Sequence, residues 1–124
     1  MSYRKKQRRI LILEKTIKSM QKAVHKNAIE HGWWEEEREF GTLIALCHSE
    51  LSEALEESRN GYPINKIYTT GDDRKLEGVP AELADVVIRI MDICERYGID
   101  LQTVIQAKHA YNQTRPYKHG GKKF

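Results

Sequence analysis

An all-α fold is predicted by three observations. Apolar residues recur at intervals of three and four along most of the 124 residues, the signature of one helical face. No segment sustains the apolar–polar alternation of a strand. Turn signals at His31-Gly32, Asn60-Gly61 and Gly98 divide the periodic stretches into four units. The expected architecture is a four-helix bundle with a long loop between helices two and three and a basic C-terminal tail. The chain reads as a single domain overall, with residues 1–30 as an N-terminal helix suited to oligomerisation and residues 31–124 as the functional part.

The first helix is expected from about Lys6 to Glu30, with Ile10, Leu13, Ile17, Met20 and Val24 on its apolar face. The second is expected over roughly Glu36 to Arg59, carrying Phe40, Leu43, Cys47, Leu51 and Ala54, with Asn60-Gly61 as its stop. A polar stretch from Tyr62 to Gly78 follows, containing Pro63, Gly71 and Asp72-Asp73. It is long for a connection in a compact domain, and such loops tend to be functional. Val79-Pro80 opens the third helix, with Pro at the first helical position, and the helix runs to Tyr97 and ends at Gly98. Asp100 caps a fourth helix bearing Leu101, Val104, Ile105 and Ala107. From Thr114 onward the tail is basic and too poor in apolar residues to pack by itself.

The net charge of +3 conceals an uneven distribution. Residues 1–9 carry five bases and no acid, and so do residues 108–124. The body between them holds 11 bases and all 18 acids. No apolar run approaches the ~20 residues of a membrane span. Ile10–Leu13 is too short for a signal-peptide core, so no secretory leader is expected. The two cysteines, Cys47 and Cys94, lie in apolar stretches and read as buried free thiols, which argues for a reducing, cytoplasmic setting.

Two pairs of acids carry the chemistry. At about 100° per residue, Glu50 and Glu53 lie along one edge of the apolar arc of helix two, while Glu56 points to solvent. Glu82 and Asp85 repeat the arrangement on helix three, beside Leu83, Val86, Ile90 and Ile93. Carboxylates three apart are neighbours on a helix, repel one another, and suffer desolvation near a core. If the two helices pack antiparallel, four carboxylates meet across one seam, and a divalent cation is the economical compensation. Hard oxygen donors without thiolate or imidazole point to Mg²⁺, with Mn²⁺ as a substitute. Acids at this spacing are also commonly a solvated face, and Arg89, Asp92 and Arg96 near Asp85 fit that for the outer part of the stripe. Neither H-E-x-x-H nor the Glu-x-x-His of di-iron bundles occurs, and Gly120-Gly121-Lys122-Lys123 lacks the remaining features of a P-loop. His48 reads as a packing residue rather than a ligand.

Glu50-x-x-Glu53, 28 intervening residues, then Glu82-x-x-Asp85 resembles the MazG-like family of all-α nucleoside triphosphate pyrophosphohydrolases. The wording around the acids is similar as well. It extends through His48-Ser49-Glu50-Leu51-Ser52-Glu53-Ala54-Leu55, through Glu77-Gly78-Val79-Pro80-Ala81-Glu82-Leu83-Ala84-Asp85-Val86-Val87, and through Lys108, Asn112 and Arg115-Pro116. The resemblance covers about residues 31–121, and the Tyr62–Gly78 loop is longer than in compact relatives.

The resemblance implies Mg²⁺-dependent hydrolysis of a (d)NTP to (d)NMP and pyrophosphate, in a nucleotide-pool or house-cleaning role in a bacterial cell or a phage-infected host. It implies that Glu50, Glu53, Glu82 and Asp85 hold the metal, with Glu53 also orienting or deprotonating the attacking water. Lys108, Asn112 and Arg115 would grip the polyphosphate. Their spacing agrees, because Lys108 and Asn112 are i,i+4 on one helix with Arg115 just past its end. Trp34, with Trp33 beside it, is a candidate to stack on the base, and so is Tyr117. The resemblance further implies a homodimer or homotetramer. The alternative is a non-catalytic helical protein that binds nucleic acid through its basic termini, although an acidic body would repel such a partner.

Overall fold

The computed structural model describes Ser2 and residues 15–124. Ile10, Leu13 and the basic residues 4–9 lie outside them. The described chain is mostly helical, in agreement with the all-α expectation.

Helix α1 spans Ile17–Glu30. Its N-cap is Thr16, which is extended and forms a capping box with Ser19, so the helix expected from about Lys6 is interrupted there, and residues 6–14 of that expectation lie outside the described residues. The Thr16 side chain accepts from the Ser19 backbone N–H, and Ser19 Oγ accepts from the Thr16 N–H. Helix α2 spans Phe40–Arg59 and starts late. The segment before it is held to the protein body by Trp34, whose indole N–H donates to Asp92.

The loop after α2 contains a strand pair absent from the sequence prediction. Strands β1 (Tyr68–Thr70) and β2 (Lys75–Glu77) pair antiparallel, with Thr69 opposite Leu76. Three residues per strand are too few for an alternating pattern to register. Helix α3 (Val79–Arg96) follows directly from β2 through Gly78. Gly78 has φ +109°, and a Cβ there would lie 2.2 Å from the Lys66 carbonyl oxygen, so neither the backbone nor the space admits a side chain.

α3 is the central element, with α1 and α2 packed along it. Both neighbours run antiparallel to it. His25 meets Asp92 while Gln21 meets Glu95, and Glu50 meets Arg89 while Glu57 lies beside Glu82. Leu43, Cys47 and Ile93 form the buried centre with Trp34 against them, and Val79, Val86, Met91 and Cys94 are buried along α3. Both cysteines are free and buried.

Helix α4 (Leu101–Thr114) is capped by Asp100, which accepts from the Thr103 N–H and hydroxyl. It meets α1, where Gln102 Oε1 accepts from the Lys18 N–H, and buries none of its residues. A short helical turn, α5 (Lys118–Gly121), ends the chain. Among the described residues, no helix is long and apolar enough to cross a membrane.

Candidate functional site

The antiparallel seam between α2 and α3 brings Glu50, Glu53 and Glu82 together. One carboxylate oxygen from each lies within 4.8 Å of the others. Asp85, one turn further along α3, is outside this triad and lines the adjoining cavity with Glu50. Arg89 Nε donates to Glu50 Oε1 at 2.8 Å, so the arginine assigned by wheel geometry to a solvated stripe beside Asp85 instead reaches across the seam. Glu53 is exposed, whereas Glu82 is only 7% exposed.

The electrostatics follow from this placement. Burial, then contact with the Glu53 carboxylate and repulsion from Asp85 and Glu50, pushes the Glu82 carboxyl up to about 7. Asp85 is raised for the same first reason, with Glu50 adding to the shift and Arg89 and Lys75 opposing it. Glu82 Oε2 is buried and has no hydrogen-bond partner among the described residues. A buried carboxylate oxygen without a donor is costly. The all-oxygen triad to which it belongs matches the ligand chemistry of a hard divalent cation, so these residues could hold a metal ion.

A cavity of about 510 Å³ opens beside the triad, within the usual range for small-molecule sites. Its polar end is Glu50, Asp85 and Arg89, and its far wall is formed by α1 and the α1–α2 connection, including Asn27, Trp33 and Arg38. Trp33 is 63% exposed, with Arg38 over its ring. Trp34 is placed differently. Its indole N–H is bound to Asp92 at 3.0 Å, its ring packs edge-on to His25, and Arg38 and Arg96 lie over it. His25 Nδ1 lies 2.6 Å from the same Asp92 carboxylate, so one acid anchors the α1–α2 connection to both α1 and α3.

Lys108, Asn112 and Arg115 are not brought to the carboxylates within one chain. Among the described residues, none of the three forms a hydrogen bond or ion pair with Glu50, Glu53, Glu82 or Asp85. Lys108 and Arg115 instead lie over the ring of Tyr111. Tyr117 is almost fully exposed.

Three participants escaped the sequence reading in whole or part. Glu57 continues the stripe of Glu50 and Glu53 and is signalled by its spacing. Glu77 joins Glu57 and Glu82 in a second group of oxygens within 4.8 Å of one another, and it had no signal because the hairpin places it. Arg89 as the partner of Glu50 depends on the register between two helices. Compared with protein-family models, with curated proteins and with solved structures, the chain finds no match.

Proposed function

We propose that this protein is a Mg²⁺-dependent nucleoside triphosphate pyrophosphohydrolase of the MazG-like type, cleaving a (d)NTP to (d)NMP and pyrophosphate. The observation that carries the reading is the Glu50–Glu53–Glu82 triad, with a buried, unpartnered oxygen on Glu82, whose member Glu50 also lines a ligand-sized cavity. Glu50, Glu53 and Glu82 would hold the cation, with Asp85 at the margin. Bound Mg²⁺ would offset the negative charge that develops on the phosphates.

Glu53 is the exposed member of the triad and can take the proton of the water that attacks the α-phosphorus. Arg89, held on Glu50, puts a fixed positive charge where the triphosphate would meet the cavity. The cavity suits the nucleoside. Trp33 offers a ring face, and Asn27 offers a donor and an acceptor to a base edge. The stacking role thus moves from Trp34, whose polar edge is engaged, to its neighbour.

Lys108, Asn112 and Arg115 would reach the polyphosphate from a second copy of the chain, in a homodimer or homotetramer. Exposed Leu51 and Leu55 on α2, and Leu83 (45%) and Val87 (47%) on α3, are apolar faces that such a copy would cover, completing the four-helix surroundings of the site. A nucleotide-pool role places the protein in the cytoplasm.

The test is incubation of the full chain with each common (d)NTP and Mg²⁺, following monophosphate and pyrophosphate by chromatography. Cleavage that is lost in Glu53→Gln supports the reading. No cleavage of any triphosphate above that variant refutes it for the panel.

A further inference from the structure

One cation on the larger cavity has no polar partner. Arg38 lines the cavity of about 510 Å³ and is half-buried, yet it forms no hydrogen bond or ion pair among the described residues. Its sequence neighbours Glu35, Glu36, Glu37 and Glu39 are all exposed, and none of them pairs with it. The cavity's other arginine is spoken for, since Arg89 is held on Glu50.

Aromatic rings hold Arg38 instead. Its guanidinium carbon lies 5.2 Å from the centroid of the Trp34 ring and 5.8 Å from that of Trp33. Trp34 is itself fixed by its N–H on Asp92 and by its edge-on contact with His25. A guanidinium over a ring is held through its charge and keeps its N–H donors for other partners. Two adjacent donors make a planar fork that fits a pair of acceptors.

The place of Arg38 in the cavity decides which acceptors those are. It stands on the far wall with Trp33 and Asn27, away from the carboxylates where a cation and the phosphates would gather. A ring face beside a donor fork suits a flat heterocycle with two acceptors on one edge. Guanine presents O6 and N7 side by side. Adenine has a donor next to its N7, cytosine a donor, and thymine a single acceptor beside a methyl group. The Asn27 side chain, exposed and without a hydrogen bond among the described residues, adds an acceptor for the guanine amino group. We propose that Arg38 reads the base, and that the nucleotide this cavity selects carries guanine, with the Arg38 fork on O6 and N7. The inference rests on the nucleotide reading of the cavity and adds the base to it.

The experiment is calorimetric titration of the full chain in EDTA with dGMP, dAMP, dCMP and dTMP. The wild type should bind dGMP about tenfold more tightly than the other three, the discrimination typical of one bidentate arginine–guanine pair. The 7-deaza analogue of dGMP, which lacks the N7 acceptor, should lose that advantage. So should Arg38→Met, which keeps an apolar side chain against the rings, and Arg38→Lys should not restore it, because an ammonium is a point charge. Equal affinity for the four, or binding of none, overturns the proposal. An Arg38→Met variant that weakens all four alike, and inorganic pyrophosphate with them, also overturns it, by placing Arg38 on phosphate. Should Arg38→Met fail to fold, dGMP against its 7-deaza analogue on the wild type still decides. The readout involves no cleavage, so a chain that prefers dGMP but hydrolyses no triphosphate refutes the proposed activity and leaves the guanine site standing.

Discussion

The α2–α3 seam and helix α4 are both amphipathic in sequence, and both carry charged residues at helical spacing. They end in opposite conditions. The seam buries Glu82 among apolar neighbours and gathers carboxylates into a concave site. Helix α4 buries none of its residues and keeps Lys108 and Asn112 in solvent. The difference lies in what each helix packs against. α3 is flanked on two sides, so charges at the edge of its apolar face are drawn into low dielectric, where they interact strongly. α4 touches α1 alone among its substantial contacts, and its charges remain screened by water.

Four substitutions and conditions probe that contrast. The largest effect is expected for Glu82→Gln, which removes the acid shared by both triads. On the proposed function, cleavage of the triphosphate should fall by roughly 10³-fold, more than is typical for residues that merely orient a ligand. The same variant should melt at a higher temperature than wild type in EDTA at pH 8, because a neutral amide ends the conflict of a buried charge among like charges. Lower melting temperature together with retained activity would contradict the burial argument.

Next comes pH. Glu82 has its carboxyl raised from the ordinary 4.5 to about 7 in the folded protein, so the folded state binds this proton more tightly than the unfolded chain. Its contribution is full below pH 4.5, declines as pH rises toward 7, and is lost above. The expected loss is on the order of 3 kcal/mol. Melting curves in EDTA should show this fall, and Mg²⁺ should flatten it by stabilising the ionised form.

Gly78→Ala forces a side chain into a backbone region reserved for glycine and against the Lys66 carbonyl oxygen. The expected cost is about 3 kcal/mol, read by denaturant unfolding. The smallest effect belongs to α4. Lys108→Ala should change the stability of the isolated chain by less than about 0.5 kcal/mol. On the proposed function it should nevertheless raise KM for the triphosphate. A large stability loss would show that α4 is packed more intimately than its exposure indicates.

Much of the fold could be read from local rules. The ends of α3 and α4 follow from Pro80, Gly98 and Asp100, whose conformational preferences act within a few residues. The burial of Cys47 and Cys94 follows from the same periodicity that predicts their helices. The break at Thr16 is not legible in the apolar spacing, which runs past it, because the capping interaction there outweighs periodicity. The hairpin is not legible in the sequence because three-residue strands carry no pattern. A helical wheel puts Arg89 in a solvated stripe because it represents one helix and not its neighbour.

What the amino-acid order settles here is helical character, the positions of the caps, and which carboxylates share a helix edge. Each depends on interactions across one or two turns, which are strong regardless of context. Which acids meet, which one loses its water, which tryptophan faces the cavity, and which bases stay outside were settled by packing. Those outcomes depend on the register of α2 against α3 and on the turn at Gly78 that sets Glu77 beside Glu82. Contacts between residues tens of positions apart have no local signal, because their energy exists only once the helices are in place.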